Sequence, residues 1–163
     1  MIRAVQASDA ASLRSLRLRA LADAPDAFAT TPEHEAEHPD SHWSELARQS
    51  ELADATVIYA AVDADRWLDM AAGGWYDRPG GIAHLWGMWV LPARRRLGIG
   101  ERLDAEVRGW AAGHGARLLR LGVVTGDADP TGFYERLGFV RTGETGTLRR
   151  EPTRPVHYLA RPI

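Results

Sequence analysis

Residues 90–103 read VLPARRRLGIGERL, and this stretch decides the fold of the chain. An apolar strand end leads through a proline and three arginines to two glycines, after which apolar residues recur at helical spacing. Glycine lets the main chain approach a ligand closely, and the first turn of a helix presents N–H groups without partners inside the helix. With the arginines alongside, this order predicts a backbone site for a phosphate-bearing ligand.

The spacing of the two glycines excludes the common nucleotide-binding loops. Position 103 is Leu103 rather than a third glycine, and no strand–helix–strand unit precedes the loop, so a dinucleotide-binding fold fits poorly. A phosphate loop of the ATPase kind requires lysine, yet all 20 basic residues of the chain are arginine. The phosphate-bearing ligand must therefore belong to another class of protein.

The composition is that of an ordinary globular protein. A length of 163 residues with 45% hydrophobic residues suffices for one core, so we expect a single domain over residues 1–163. The net charge of −2 gives no support to nucleic-acid binding, and the absence of cysteine excludes disulfides, thiolate nucleophiles and Cys-ligated zinc. No long apolar stretch follows the first strand, which predicts a cytoplasmic chain without a signal peptide or membrane partner.

Hydrophobic periodicity predicts an α+β protein with a mixed sheet. Strands are predicted at 2–5, 56–62, 67–76, 82–91 and 118–124, from 139 onward, and at 156–159. Helices are predicted to begin at Ser8 or Asp9, at Asp40 or Ser41, at Gly98 and at Asp129. The strand–helix–strand crossover around the glycine loop implies one parallel strand pair, whereas the hairpins before it imply antiparallel pairing.

Three motifs in this order resemble the GNAT superfamily of acyl-CoA N-acyltransferases. Residues 95–100, RRLGIG, resemble its R/Q-x-x-G-x-G/A motif, VLP at 90–92 has its V-x-P spacing, and YERLGF at 134–139 is similar to its Y-x-x-x-G-F element. The resemblance is strongest from Ile82 to Val140. It implies the GNAT-like fold, a central, mostly antiparallel twisted sheet with a splayed parallel strand pair and flanking helices.

The resemblance implies acetyl-CoA as the co-substrate, bound largely by backbone groups. Residues 96–101 would cradle the pyrophosphate, and residues 88–90 would pair with the pantetheine arm as an added strand does. A backbone N–H near Met88 or Val90 would polarise the acyl carbonyl. The family's asparagine position is Asp127 here, which can accept a pantetheine hydrogen bond but adds negative charge. The expected coenzyme-binding residues are Met88, Trp89, Val90, Arg95, Arg96, Leu97, Gly98, Ile99, Gly100, Glu101, Asp127 and Tyr134.

A general acid is expected at Tyr134. This residue matches the family's tyrosine, whose hydroxyl lies near the coenzyme sulfur and protonates the departing thiolate. The alternative is a tyrosine that only packs beside Phe133 and Phe139. The resemblance therefore implies a role for Tyr134 in turnover rather than in coenzyme binding alone.

Several residues compete for the role of general base. His84 lies on the strand that should border the acyl site, and an imidazole of ordinary pKa accepts a proton near neutrality. Strand alternation puts His84, Trp86, Met88 and Val90 on one face unless a bulge shifts the phase. A half-buried structural role is the alternative for His84. Its rivals as general base are Glu33, Glu35, Glu37 and a water-mediated relay.

The acceptor is expected to be a primary amine of a small molecule. Protein N-terminal or lysine acetylation is an alternative that would need an open peptide groove, and a catalytically silent acyl-CoA-binding domain is an alternative of another class. Family members are often dimers, so the resemblance allows for a homodimer. His34, His38 and His42 have the spacing of one helix face, but Pro39 interrupts any single helix through them, and we predict no metal.

Overall fold

One mixed sheet forms the centre of the molecule in a computed structural model that describes residues 1–126 and 129–163. The strands are β1 Ile2–Ala4, β2 Thr56–Asp63, β3 Arg66–Asp77, β4 Ile82–Trp89, β5 Leu118–Val124, β6 Val140–Leu148 and β7 Glu151–Pro162. The helices are α1 Ala10–Asp23, α2 Pro32–Ala36, α3 Asp40–Leu52, α4 Ile99–Gly113 and α5 Thr131–Arg136. Among these described residues no helix is long and apolar enough to span a membrane.

The strand order of the sheet is β1-β2-β3-β4-β5-β7-β6. β4 and β5 run parallel, and the other neighbouring pairs are antiparallel. This arrangement confirms the predicted fold class and places the parallel pair on either side of the glycine loop, as a crossover connection requires. β7 lies between β5 and β6, so the last strand of the chain is next to the parallel pair.

A short helix that the sequence did not predict, α2, lies between α1 and α3. Thr31 caps this helix by accepting a hydrogen bond from the backbone N–H of His34 at 3.2 Å, and Pro32 occupies its first position. Proline is tolerated there because the first helical residues have no intrahelical N–H bond to lose. Pro39 does interrupt the helical path as predicted, since α3 begins immediately after it.

Each face of the sheet has its own hydrophobic core. On one face α4 packs Leu103 against strand residues such as Leu119. On the other face α1 and α3 cover the first strands, and Leu16 is buried with Ile58. Burying such a side chain contributes about 1.5–3 kcal/mol. Residues of β4 belong to both cores, which fixes this strand between them.

β4 and β5 separate soon after they meet. They pair only over Ile82–His84 and Leu118–Arg120. Beyond those residues the two strands form opposite walls of a cleft, lined by 85–89 of β4 with Val90 after it and by 121–124 of β5. The edge of β4 in this cleft is therefore available to another extended group.

A β-bulge at Gly87 shifts β4 just where it leaves β5. Between two paired positions, β4 advances by three residues while β3 advances by two. Gly87, within this stretch, has a left-handed φ of +63°. One extra residue reverses the alternation of side chains that follow it. Met88 and Val90 consequently pack with the α4 core, while Trp86 packs with the α1–α3 core. The common face expected for these residues and His84 in the absence of a bulge does not form.

Candidate active site

One candidate site is the strand cleft, which we define as the space of about 730 Å³ between the diverging ends of β4 and β5. Its walls are residues 85–90 and 121–124, and the glycine loop closes one end with residues 94–96 and 98–101. Residues 23–28, which follow α1, and Tyr134 on α5 complete it. The structure thus brings together most of the residues predicted for coenzyme binding.

The two glycines of the loop have different physical roles. Gly98 is the residue before α4, has φ of +74°, and would place a Cβ in open space with nothing within 4 Å. Gly100 lies in the first turn, where a Cβ would stand 2.8 Å from Cζ of Phe133. Gly98 is therefore needed for its left-handed backbone, and Gly100 is needed because α5 packs closely on α4.

The first turn of α4 faces the strand cleft with unpaired donors. No side chain caps the helix at Gly98, and the first backbone N–H groups of a helix have no partners within it. Ile99, Gly100 and Glu101 all line the cleft. These N–H groups and the helix dipole are arranged to suit an anion, and phosphate binding here stays a prediction.

Arg94 anchors the glycine loop to the buried carboxylate of Asp69. Its Nε donates to Oδ2 of Asp69 at 3.0 Å, and Asp69 is fully buried (0% exposed). The other carboxylate oxygen of Asp69 accepts the backbone N–H of Leu91 at 2.9 Å. Arg94 is therefore a structural residue of the loop.

Arg95 and Arg96 are differently placed. Arg95 donates to the Val90 carbonyl at 3.0 Å and to Asp23 at 3.1 Å. Asp23 also accepts the indole N–H of Trp89 at 2.8 Å. Arg96 adopts a left-handed φ of +61° and has no ion-pair partner within the described part of the chain. Arg96 is thus the arginine of this run that a phosphate would engage without displacing another contact.

One predicted coenzyme residue, Leu97, does not add its side chain to the lining of the strand cleft. The Leu97 side chain is 68% exposed and is not part of the lining, so only its backbone N–H remains as a candidate contact. Asp127 lies outside the residues that the structure describes. The assignments at both positions stay predictions.

Tyr134 lies in the wall of the strand cleft and packs against aromatic neighbours. Its ring centroid is 5.1 Å from that of Phe133 and 5.7 Å from that of Phe139, and the residue is 8% exposed. Burial, with a smaller contribution from the carboxylate of Asp104, raises the pKa of the Tyr134 hydroxyl above its ordinary value. The hydroxyl therefore stays protonated and can donate a hydrogen bond at neutral pH.

His84 lies at the closed end of the cleft, below the point where the strands part. It pairs with Arg120 of β5, is stacked on Tyr76 with 6.5 Å between ring centroids, and does not line the strand cleft. Burial, and then Arg120, lower the pKa of the imidazole, so His84 is neutral near physiological pH. Four residues of strand, about 13 Å, separate it from Met88. A role for His84 as general base stays a prediction and would require a relay.

A second space, which we define as the helix cavity, lies under α1, α2 and α3 and has a volume of about 210 Å³. Trp86 lines both this cavity and the strand cleft. Its polar lining comprises Arg17, Glu35, His38, His42 and Trp43. Of the acids considered as general bases, Glu35 is half-buried in this cavity, 3.7 Å from Arg17, whereas Glu33 and Glu37 are exposed.

Sequence reasoning missed Arg17 as part of the helix cavity, because the polar lining comes from three helices and the turn before α3. Arg17 has the appearance of a residue on the polar face of an amphipathic helix, yet it is buried. The stacked rings of His38 and His42, 4.0 Å apart, are brought together by the turn at Pro39. The spacing of these histidines was a usable signal for clustering, but nothing local marked Arg17.

Comparisons with known proteins agree with this geometry. A sequence model of the family described as Acetyltransferase (GNAT) family matches residues 18–139. The chain is 24% identical over 154 residues to aminoglycoside N(6')-acetyltransferase type 1 of Klebsiella aerogenes, covering 92% of this chain and 95% of that protein. A GNAT acetyltransferase structure from Streptococcus pneumoniae superimposes with a TM-score of 0.82 at 19% identity, covering 100% of this chain and 98% of that one. An aminoglycoside 6'-N-acetyltransferase complexed with coenzyme A has a TM-score of 0.71 at 19% identity, with 99% and 96% covered.

Proposed function

The chain belongs to the acetyltransferase (GNAT) family and is an acetyl-CoA-dependent N-acetyltransferase, and from that premise we propose that its acceptor is the primary amine of a small molecule. The proposed reaction uses no metal and is carried by residues 1–163 as one domain. The amine nitrogen attacks the acetyl carbonyl carbon, an N–C bond forms, and the C–S bond to coenzyme A breaks. One proton leaves the amine and one is taken up by the thiolate.

Contacts of Arg150 and Arg154 with the 23–28 segment favour a small acceptor over a peptide. Nη2 of Arg150, in the turn between β6 and β7, donates to the carbonyls of Pro25 and Phe28 at 2.8 Å and 3.0 Å. Arg154 adds an ion pair to Asp26 at 2.9 Å. These contacts, which we call the Arg150 bridge, join the β6–β7 hairpin to residues 23–28 in the wall of the strand cleft. A bridged cleft supports a compact acceptor, because an extended peptide needs an open groove.

Acetyl-CoA, the acetyl donor, is proposed to bind mainly to backbone groups. Pyrophosphate is assigned to the first turn of α4, with Arg95 and Arg96 beside it. The pantetheine arm is assigned to the free edge of β4, where Met88 and Val90 lie past the bulge. A backbone N–H of this edge would polarise the acetyl carbonyl as negative charge develops on its oxygen.

Tyr134 is proposed to stabilise the leaving thiolate. Because its pKa is raised by burial, the hydroxyl contributes mainly as a hydrogen-bond donor to the sulfur rather than by early and complete proton transfer. His84, reached through water, is the proposed final acceptor of the amine proton, and Glu35 is its rival. Neither residue touches the acetyl position directly, so the amine must enter at least partly deprotonated.

An assay of thiol release from acetyl-CoA tests the acceptor class. The panel should hold amino acids, polyamines, aminoglycosides and peptides, with mass spectrometry to identify the N-acetyl product. We expect turnover with a small primary amine and little with peptides. Replacement of both bridge residues, Arg150→Met with Arg154→Met, should relax this discrimination. Acetylation confined to peptides, or coenzyme binding without transfer to any amine, would overturn the proposal.

A further inference from the structure

Two buried donors in the helix cavity have no acceptor. Nη1 of Arg17 and Nε1 of Trp43 are without a hydrogen-bond partner within residues 1–126 and 129–163. Both residues line the helix cavity, and they are only 9% and 1% exposed. Each of these atoms can donate but never accept a hydrogen bond. Buried donors left unpaired are unfavourable, so the cavity is suited to a ligand that supplies oxygen acceptors.

The helix cavity lies beside the proposed acetyl position. Nη1 of Arg17 is 3.5 Å from the point where a Cβ on Gly87 would stand. The next residue is Met88, which lies on the edge assigned to the acyl group. The guanidinium carbon of Arg17 is also 4.9 Å from the ring of Phe28 and 5.9 Å from that of Trp86, and both aromatic residues line the strand cleft. A group bound at Arg17 and an amine at the acetyl position would therefore be only a few bonds apart.

The cavity holds the Arg17–Glu35 ion pair, and the unpartnered edge of Arg17 favours an oxyanion. Glu35 stands 3.7 Å from Nη2 of Arg17, too far for a hydrogen bond, and leaves Nη1 unengaged on the other side of the guanidinium. Burial lowers the pKa of Arg17, and the nearby Glu35 carboxylate partly offsets this shift. The arginine nevertheless remains charged at any physiological pH. Arginine also matches a carboxylate better than any other side chain does.

A metal ion is the competing occupant of the same cavity. Ligand atoms of Glu35, His38 and His42 lie within 4.8 Å of one another. However, the two imidazole rings are stacked with only 13° between their planes, so one ion cannot lie in the plane of both without a rotation of the rings. Arg17 would also repel a cation. The observed arrangement fits an oxyanion better.

The 23–28 segment of the strand cleft offers little to a polycation. Asp23 and Asp26 are the carboxylates of the 23–28 segment, and they are paired with Arg95 and Arg154 at 3.1 Å and 2.9 Å. A polycationic acceptor would have to break these pairs to find its own counter-charges. The same segment is compatible with an acceptor of little or no net positive charge.

We infer that the helix cavity binds a carboxylate through Arg17 and Trp43, and that the acceptor is a small amine carrying a carboxylate within a few bonds of its nitrogen, such as an α- or β-amino acid. This inference rests on the proposed function and narrows its substrate class. It distinguishes the chain from a similar protein named for aminoglycosides.

Matched acceptor pairs test the inference in turnover. Each amino acid of a panel is compared with its own amide, which removes the carboxylate charge but also lowers the pKa of the amine, so kcat/KM is calculated on the concentration of unprotonated amine. In the unmodified enzyme kcat/KM should favour the carboxylate about tenfold or more. Arg17→Met should abolish that preference and Trp43→Phe, which removes only the N–H, should reduce it about threefold or more. The KM for acetyl-CoA should be unchanged, and Arg48→Met on the exposed face of α3 is the matched control.

Equilibrium binding separates this inference from the proposed function. Calorimetric titration of the amino acids and their amides into the enzyme with coenzyme A needs no turnover, and melting temperatures check that the variants fold. Tighter binding of the carboxylates, lost in Arg17→Met, supports the inference even if no amine is acetylated. Equal binding of acid and amide to the unmodified enzyme overturns it, as does Zn²⁺ binding to the cavity that His38→Ala abolishes. Acetylation of amines without a carboxylate preference overturns the inference while leaving the proposed function intact.

Discussion

The strand cleft and the helix cavity share Trp86, but one presents mainly backbone groups to a ligand and the other presents side chains. The strand cleft uses backbone groups, namely the first turn of α4 and the unpaired edge of β4. The helix cavity uses side chains that α1, α2 and α3 contribute separately. A backbone site accepts a ligand common to many relatives, whereas a side-chain site can differ from one chain to the next. With the proposed assignments, recognition of the donor and recognition of the acceptor are separable in this chain.

The largest expected effect is at Tyr134, which lines the strand cleft and is proposed to act only on the reacting atoms. Tyr134→Phe should lower kcat by about 10²–10³-fold, because the thiolate loses its hydrogen-bond donor. Acetyl-CoA binding, measured by calorimetry, should change little. Tyr76→Phe, on β3 outside the cleft, controls for loss of a tyrosine hydroxyl. Unaltered turnover in Tyr134→Phe would leave this residue with a packing role alone.

Substitution of Gly98 tests whether backbone groups form the acetyl-CoA site. Gly98→Val forces a β-branched residue into a left-handed conformation, which is disfavoured by about 1–2 kcal/mol. We expect acetyl-CoA binding about tenfold weaker, with a carboxylate preference equal to that of the unmodified enzyme. Gly109→Ala, in the middle of α4 with open space around it, should leave binding unchanged and stabilise the fold by about 0.5–1 kcal/mol. Normal coenzyme affinity in Gly98→Val would contradict a backbone anion site.

Arg94 and Arg96 should behave oppositely. Arg96→Met should weaken acetyl-CoA binding about fivefold with little change in melting temperature, because its guanidinium has phosphate as its expected partner. Arg94→Met should instead lower the free energy of unfolding by about 1–3 kcal/mol, because buried Asp69 loses its cation. Calorimetric binding and thermal unfolding of both variants measure the contrast. Similar effects of the two substitutions would show that Arg94 and Arg96 both contribute only general positive charge.

The sequence predicted the strand cleft far better than the helix cavity, and for a physical reason. The limits of β5 were predicted correctly, and the glycine loop was found, because both depend on neighbouring residues. The bulge at Gly87 depends on how β4 pairs with β3, which periodicity does not show; a glycine inside a strand was its only local signal. Arg17 could not be recognised as buried, since Phe28 and Trp86 reach it from distant parts of the chain.

The smallest expected effect concerns the proton acceptor. Burial and Arg120 lower the pKa of His84, so this imidazole stays neutral as the pH falls past 6.5 and becomes protonated only below that. If His84 accepts the amine proton, kcat/KM calculated on the unprotonated amine should show an acidic limb below pH 6.5, and His84→Gln should abolish that limb with a loss of about tenfold or less. Glu35→Gln is the parallel variant. A limb retained in His84→Gln and lost in Glu35→Gln would transfer the role to Glu35.

The separation of β4 from β5 has a consequence for folding thermodynamics. Within the described residues, the strand pairing between the four-strand half of the sheet and the three-strand half comprises three residue pairs. A coenzyme lying along β4 would fill the gap like an absent strand and bind the native state alone. By linkage it would add about 2.7 kcal/mol to the stability when its concentration is a hundred times its Kd. The melting temperature should accordingly climb with coenzyme concentration, so that the co-substrate also acts as a structural component of the sheet.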